Sequence, residues 1–147
     1  MEAFYIVLVA LSGLLWVGFA LLPWRPWSNQ AVLDAVEGVN KNITLNEITV
    51  LIPARIEVEV IQHTLQSVID QGPGLKIVLI DDSSEDATVE KARQTRISDL
   101  RIIRSEPLPP GWSGKLWALE QGRLHVATPY TLFLDADIEL TRGIVKT

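Results

Sequence analysis

The sequence contains no cysteine among its 147 residues and only two histidines. The absence of cysteine excludes disulfide bonds, thiolate nucleophiles and cysteine-based zinc sites. His63 and His125 have no metal-ligating partner at a suitable spacing, so we interpret both as structural. Acidic residues outnumber basic ones by 18 to 13, which gives a formal net charge of −5. The chain therefore lacks the basic surface expected of a nucleic-acid-binding protein, and we expect no nucleic-acid partner.

One long uncharged stretch, residues 3–22, stands near the start of the chain. Its length is about that needed for a helix to cross the hydrocarbon core of a bilayer. A signal peptide would carry positive charge before a shorter apolar core, whereas Glu2 precedes this one, so we predict an N-terminal transmembrane helix. Trp24 and Trp27 suit the membrane interface, and Arg25 favours a cytoplasmic C-terminal domain under the positive-inside rule.

The segment 23–46 is predicted to be a juxtamembrane connector, because Pro23, Pro26 and Asn29 interrupt any continuous helix. From residue 47 onward, short runs rich in β-branched and apolar residues predict strands. These runs occupy residues 48–52, 75–80, 100–103 and 130–134. The first and the last of them have the composition of buried strands.

Helical patterns separate the predicted strands. They cover residues 61–69, a stretch that begins after Ser84 or Asp86, and residues 115–126. Glu57 and Glu59 are expected in the first turn of the first of these helices, where the helix dipole favours acidic groups. Strands that alternate with helices predict right-handed βαβ units and an α/β fold with a mostly parallel sheet.

Two of the predicted strands end in paired carboxylates. Asp81 and Asp82 follow the second strand, and Asp135 and Asp137 follow the fourth. Because the carboxyl ends of parallel strands share one edge of a sheet, all four can converge on one crevice. Two carboxylates one residue apart suit Mg²⁺ or Mn²⁺ held against the phosphates of a substrate. The alternative is that each pair caps the helix or turn that follows it.

Two cations belong to the same predicted edge. Arg55 follows the first strand, where it is either a contact to a substrate phosphate or a solvated loop residue. Lys115 begins a predicted helix after a loop rich in proline and glycine, a place where helix amides can hold an anion; a surface lysine has the same pattern. Trp112 and Trp117 flank Lys115 and either wall a pocket or pack in the core.

Four motifs follow one another along the chain. They are Ile52-Pro53-Ala54-Arg55, residues 81–88 (DDSSEDAT), residues 114–122 (GKLWALEQG) and Asp135-Ala136-Asp137. In this order they resemble the family 2 glycosyltransferases of GT-A fold. Residues 107–118 (PLPPGWSGKLWA) are more specifically similar to the hopene-associated glycosyltransferases (HpnB), and ceramide-glucosyltransferase-like enzymes are a neighbouring match. The resemblance covers residues 48 to about 139 and implies a Rossmann-like GT-A domain in residues 47–147.

The resemblance implies a nucleotide-sugar donor, most often a UDP-sugar, and a divalent cofactor, Mg²⁺ or Mn²⁺. It also implies how the nucleoside is held. Pro53 and Ala54 would line the uracil, with Arg55 near the donor. Asp82, or alternatively Asp81, would contact the base.

The resemblance further implies roles for residues near the diphosphate. Lys115 would lie close to the diphosphate, Asp135 would approach the ribose or the metal, and Asp137 would bind the metal. A divalent ion on the diphosphate offsets the charge that develops on the leaving UDP, which is Lewis-acid assistance to group transfer. The membrane helix and the hopene-associated resemblance together favour a lipid acceptor.

Two departures from the family pattern affect these expectations. Ile56 stands where the family usually has asparagine, so a local loop hydrogen bond is expected to be missing. The chain also stops ten residues after Asp137. The acceptor-binding half and the general base are therefore expected beyond Thr147, and no catalytic base is assigned. We expect a donor-binding half from a split or truncated gene, poor in transfer alone, that a second polypeptide could complete.

Two other functions fit parts of the sequence. HAD-type phosphotransferases also place Asp-x-Asp after a buried strand, but there the motif normally opens the domain, whereas Asp135 lies near its end. A non-catalytic, membrane-tethered nucleotide-binding module would keep the acidic pairs without turnover. A phosphoryl group trapped on Asp135 would support the first, and metal-dependent UDP binding without sugar transfer would support the second.

Overall fold

The chain begins with an apolar helix. In the computed structural model, which describes residues 1–21 and 44–146, α1 runs from Glu2 to Ala20 and no side chain in it is buried. Within those residues it is the one helix long and apolar enough to cross a membrane. At 1.5 Å per residue its 19 residues span about 28 Å, close to the thickness of a bilayer core. A helix is thus confirmed over residues 3–20, and its crossing of a membrane stays a prediction.

Residues 1–33 and 34–147 form two separate compact units. Trp24, Arg25, Trp27 and most of the predicted connector lie outside the described residues. At the start of the described part of the second unit, residues 45–47 form a short 3-10 turn, in which the Glu47 carboxylate accepts a hydrogen bond from the Thr44 amide at 2.8 Å.

The second unit is built on four parallel strands in the order β3-β2-β1-β4. Their bounds are Ile48–Ala54 for β1, Lys76–Asp81 for β2, Leu100–Arg104 for β3 and Tyr130–Phe133 for β4. Both central strands are almost wholly apolar and buried, as expected for a parallel sheet covered on both faces. The prediction of an α/β fold with a parallel sheet is therefore confirmed.

Three helices cover the sheet, and the alternation of side chains along the strands divides the core between them. The helices are α2 (Ile61–Ile69), α3 (Thr88–Gln94) and α4 (Gly114–Arg123). One face of β1 and β2 packs with α2 and α3, and its core includes Val50, Ile52, Leu65, Leu79 and Ala92. The opposite face packs against α4 through Leu51, Val78, Ile80 and Ala118.

The structure corrects two of the sequence predictions. The run at β4 is not a buried strand: Tyr130, Thr131 and Phe133 are exposed. In the described residues β4 pairs with β1 alone, so it forms an edge of the sheet. Glu57 and Glu59 do not lie in the first turn of α2, because that helix begins only at Ile61. The order of strand addition reverses at β1: β2 and β3 lie on one side of it and β4 lies on the other.

Gly122 allows α4 to pack closely on the sheet. A Cβ atom at this position would lie 2.8 Å from Ile80 Cδ1 and 3.0 Å from Ile80 Cγ1. In Gly122→Ala we expect overpacking, which costs about 1–3 kcal/mol, to outweigh a gain in helix propensity of about 1 kcal/mol. The free energy of unfolding, measured by chemical denaturation, should therefore fall by about 1 kcal/mol.

The matched variant for this prediction is Gly122→Ala combined with Ile80→Val, which removes the nearest clashing atom. The double variant should lose less stability than the sum of the two single variants, because the two positions are in contact. Strictly additive losses would show that Ile80 does not limit how closely α4 approaches the sheet.

Candidate active site

A cavity of about 420 Å³ opens at the carboxyl edge of the sheet, beside β1, where the strand order reverses. Ligands bind at this position in open α/β sheets, because loops from neighbouring strands diverge there. Its lining comes from the ends of β1, β2 and β4 and from the start of α4. The lining residues are Pro53, Ala54, Arg55, Glu57, Asp82, Gly114, Lys115, Asp135, Ala136 and Asp137.

Nearly all of the site residues predicted from the sequence meet in this cavity; Asp81 does not line it. Asp81 is the last residue of β2 and is 6% exposed. Its Oδ1 accepts a hydrogen bond from the Ser84 amide at 2.9 Å, and its side chain borders a neighbouring cavity of about 380 Å³. Of the two residues predicted for the base contact, Asp82 lines the larger of these two cavities and Asp81 does not.

Two ion pairs join residues that line the cavity. Lys115 Nζ lies 2.6 Å from Asp135 Oδ1, and Arg55 Nη1 lies 3.8 Å from Asp82 Oδ2. The Lys115 and Asp135 side chains are 57% and 52% exposed, so solvent screens their attraction. Both predicted cations are therefore engaged with carboxylates of the same site.

Glu57 also lines the cavity, although the sequence pattern assigned it to a helix. Burial raises the pKa of its carboxyl, and the negative charges of Asp137 and Asp86 raise it further. The lining thus holds four carboxylates and two cations, a formal charge of −2. A signal was present in the sequence: Glu57 lies two residues beyond Arg55, in the loop that leaves a strand at the sheet edge.

Three consecutive backbone amides hold the loop after β1 in place. The amide of Ile56 donates to Ser84 Oγ at 3.2 Å, and the amide of Glu57 donates to Thr88 Oγ1 at 2.8 Å. The amide of Val58 donates to Asp86 Oδ2 at 3.2 Å. These three side chains of the 81–88 motif accept hydrogen bonds from the backbone of the loop after β1, and so they hold one wall of the cavity in place.

Ile56 has a φ of +59°, a left-handed conformation that a β-branched residue adopts only at a cost. Asparagine tolerates this conformation better, which gives a physical reason for the asparagine expected at this position. The amide of Ile56 is nevertheless hydrogen-bonded, so the loop keeps a backbone link to Ser84.

A polar stripe on α2 holds the segment that follows β4. Thr64 is fully buried, and its hydroxyl donates to the carbonyl of Ala136 at 2.6 Å. Ser67 Oγ accepts from the Leu140 amide at 3.0 Å, and Gln71 Nε2, just beyond α2, donates to the Thr141 carbonyl at 3.0 Å. These three side chains recur at helical spacing. The apolar pattern that predicts α2 gives no indication of them, because it records only the buried apolar positions.

The first turn of α4 lies directly against Asp82. A Cβ atom at Gly114 would meet Asp82 Oδ2 at 2.7 Å, so glycine allows the helix to start beside this carboxylate. The capping residue Ser113 makes no side-chain hydrogen bond to the helix. Amides at a helix N-terminus attract anions, and here they adjoin Lys115.

The side chains of the cavity suit a hard divalent cation that is bound partly by the protein and partly by a substrate. Among the described residues, no group of three or more His, Asp or Glu side chains is arranged to hold a metal ion. Mg²⁺ is commonly bound by one or two carboxylates together with the phosphates of a substrate. Asp135 and Asp137 are the two lining carboxylates that could act as that smaller number of ligands, and the net negative lining favours a cation.

Comparison with known proteins agrees with this architecture. The sequence profile of the family described as Glycosyl transferase family 2 matches residues 49–146. The chain is also similar to the 4,4'-diaponeurosporenoate glycosyltransferase of Staphylococcus aureus strain USA300, with 32% identity over 101 residues. That match covers 69% of this chain and 26% of the relative. The chain thus spans about a quarter of the length of the curated relatives it matches.

Solved structures of similar fold include the mannosyltransferase PcManGT from Pyrobaculum calidifontis, in complex with GDP-Man and Mn²⁺. It has a TM-score of 0.57 and 22% identity, over 66% of this chain and 29% of that one. TarS residues 1–349 from S. aureus have a TM-score of 0.55 and 25% identity, over 67% of this chain and 30% of that one. A third similar structure is glucosyl-3-phosphoglycerate synthase from Mycobacterium tuberculosis, in complex with Mn²⁺, UDP and phosphoglyceric acid. It has a TM-score of 0.52 and 22% identity, over 66% of this chain and 35% of that one.

These neighbours show that the sheet and its helices have the GT-A fold. Family membership rests on the profile match, which runs from β1 almost to the end of the chain. It favours a glycosyltransferase over the HAD-type alternative. By its sequence profile and its fold, the chain belongs to glycosyltransferase family 2.

Proposed function

We propose that this chain is the donor-binding part of a membrane-anchored glycosyltransferase that uses a nucleotide sugar, most often a UDP-sugar. The observation that carries this proposal is the cavity at the carboxyl edge of the sheet. It brings together Pro53, Ala54, Arg55, Asp82, Lys115, Asp135 and Asp137. Its volume suits a ligand larger than a simple ion, and its charge suits a diphosphate that arrives with a divalent cation.

In this proposal the residues after β1 and β2 hold the nucleoside. Pro53 and Ala54 form a wall for the uracil, and the Asp82 carboxylate accepts a hydrogen bond from the base. The Asp82 amide donates to the Ala54 carbonyl at 2.9 Å, which fixes the spacing of the two loops. Arg55 Nη1 lies 3.8 Å from Asp82 Oδ2, so an ion pair also links the two loops.

The residues after β4 and at the start of α4 hold the diphosphate end. Lys115 and the first amides of α4 attract the diphosphate, and Asp135 and Asp137 would hold Mg²⁺ or Mn²⁺. When bound, such an ion supplies Lewis-acid stabilisation of the leaving nucleoside diphosphate. During transfer, the bond from the sugar to the diphosphate breaks and a bond to the acceptor oxygen forms. We assign no residue of this chain to accept the acceptor's proton.

A lipid is the acceptor class we propose, and a hopanoid-related lipid is the specific case. Support comes from α1, which is apolar and unburied along its length, and from the similarity of residues 107–118 to hopene-associated enzymes. We also propose that the domain lies on the cytoplasmic side of the membrane.

Titration of UDP into the detergent-solubilised chain, with and without Mn²⁺, tests the donor site. We expect UDP binding that requires Mn²⁺, with weaker binding of GDP if the wall at Pro53 and Ala54 selects a pyrimidine. A chain that is folded by circular dichroism but binds neither nucleotide with Mn²⁺ would contradict the proposal. Mn²⁺-dependent UDP binding without sugar transfer, even when an acceptor-binding part and a lipid acceptor are supplied, would favour the non-catalytic alternative.

A further inference from the structure

Lys115 contacts a carboxylate that the proposed function assigns to a different partner. Its Nζ lies 2.6 Å from Asp135 Oδ1, although Asp135 is proposed to face the divalent cation and Lys115 the diphosphate. We propose that Lys115 is an exchangeable counter-ion: it neutralises Asp135 before the donor arrives and moves to the diphosphate when the divalent cation arrives with it. This inference rests on the proposed donor site.

The two cations compete for Asp135 for a simple electrostatic reason. An ammonium group in contact with a carboxylate oxygen occupies part of the space that Mg²⁺ would need, because Mg²⁺ lies about 2.0–2.1 Å from its oxygen ligands. The ammonium and a divalent ion also repel each other at such short separations. Asp135 therefore binds the divalent ion more weakly while Lys115 is paired with it.

The ion pair is suited to exchange rather than to stability. Both side chains are more than half exposed, and exposed ion pairs contribute little to folding. A lysine has a flexible four-carbon stem and three donors, so its ammonium can change partners without moving the backbone. Its Cα lies in the first turn of α4, where the helix amides favour an anion. The new partner would therefore arrive within reach.

Asp137 is in a different situation from Asp135. In the described part of the chain, the carboxylate of Asp137 has neither an ion pair nor a hydrogen bond, and the side chain is exposed. It also raises the pKa of Glu57, so it contributes negative charge to the cavity. Asp137 is thus open to a cation at all times, whereas Asp135 becomes open only when Lys115 leaves.

The exchange predicts opposite effects of one substitution on two affinities. Lys115→Gln should raise the affinity for Mn²⁺ alone by about two- to fivefold, the size of an exposed ion pair. It should lower the affinity for UDP at saturating Mn²⁺ by about tenfold, because a charge-assisted contact is lost. Free Mn²⁺ can be followed by electron paramagnetic resonance, and UDP binding by calorimetry, on the full detergent-solubilised chain.

Arg123→Gln is the matched control for this experiment. Arg123 lies on the same helix, is 61% exposed and pairs with Glu120 at 2.7 Å, but it does not line the cavity. The variant removes the same charge as Lys115→Gln but alters no residue of the cavity, so it should change neither affinity. An equal gain in Mn²⁺ affinity in both variants would mean that net charge, rather than exchange at Asp135, is responsible, and would overturn the inference.

The remaining outcomes separate the exchange from the donor site. If the wild-type chain binds UDP with Mn²⁺ but Lys115→Gln leaves the affinity for Mn²⁺ alone unchanged or undetectable, the exchange is wrong and the donor site stands. If the folded wild-type chain binds no UDP at all, the donor site fails and the exchange fails with it. A rise in Mn²⁺ affinity together with a loss of UDP affinity supports both.

Discussion

Asp137→Asn is expected to abolish Mn²⁺-dependent UDP binding while leaving the chain folded. Asp137 is exposed, and in the described residues its carboxylate has no attractive partner, so the substitution removes no contact that stabilises the fold. It does remove one of the two carboxylates proposed to hold the cation. Even residues that only support a metal ligand are worth about 10–100-fold in affinity, so we expect a loss of at least about 100-fold, measured by calorimetry.

Asp99→Asn provides the control for the loss of one negative charge. Asp99 is also exposed, but it precedes β3 at the amino edge of the sheet, away from the cavity. Its substitution should leave UDP binding unchanged. If Asp137→Asn binds UDP and Mn²⁺ as the wild-type chain does, Asp137 is not a cation ligand and the assignment of residues 135–137 must be abandoned.

Thr64→Val is expected to cause a large loss of stability and a weaker donor site at the same time. The substitution keeps the shape of a fully buried side chain but removes the hydroxyl that donates to the Ala136 carbonyl at 2.6 Å. Ala136 is 4% exposed, so its carbonyl would lose a donor that water can scarcely replace. Such an unsatisfied group costs about 1–3 kcal/mol, which urea denaturation followed by circular dichroism can measure.

The same variant should weaken Mn²⁺-dependent UDP binding by about tenfold, because Ala136 joins the two proposed cation ligands and misplacement of a site costs affinity. Thr64→Ser keeps the hydroxyl and removes only a methyl group. It should retain UDP binding close to that of the wild-type chain even if it is less stable. Equal loss of binding in the serine and valine variants would show that packing, and not the hydrogen bond, positions residues 135–137.

Several parts of the fold were predictable because they depend on local patterns. The alternation of apolar runs with helical spacing predicted the parallel sheet, and all four strands form where such runs occur. The stretch at residues 130–134 shows the limit of this reasoning. Composition records how apolar a strand is, but exposure at Tyr130 and Phe133 depends on which neighbours the strand has.

The choice between Asp81 and Asp82 illustrates why the site was only partly predictable. Successive side chains of a strand point to opposite faces, so a shift of one residue at the strand end exchanges their roles. The sequence could not fix that end. In the structure β2 includes Asp81, which turns to the Ser84 amide, and the next residue, Asp82, reaches the cavity.

By itself the sequence determined many of the residue types that reach the carboxyl edge of the sheet, since Arg55, Asp82 and Asp135 lie within two residues of a strand end and Lys115 lies in the first turn of a helix. Only the tertiary structure decided which of them share a cavity, because their spacing depends on hydrogen bonds between segments distant in the chain. The amides of residues 56–58 bind side chains of residues 84–88, and α2 holds the carbonyl of Ala136. The contact of Lys115 with Asp135 has the same origin: α4 packs on one face of β1 and β2, and its first turn meets the residues that follow β4.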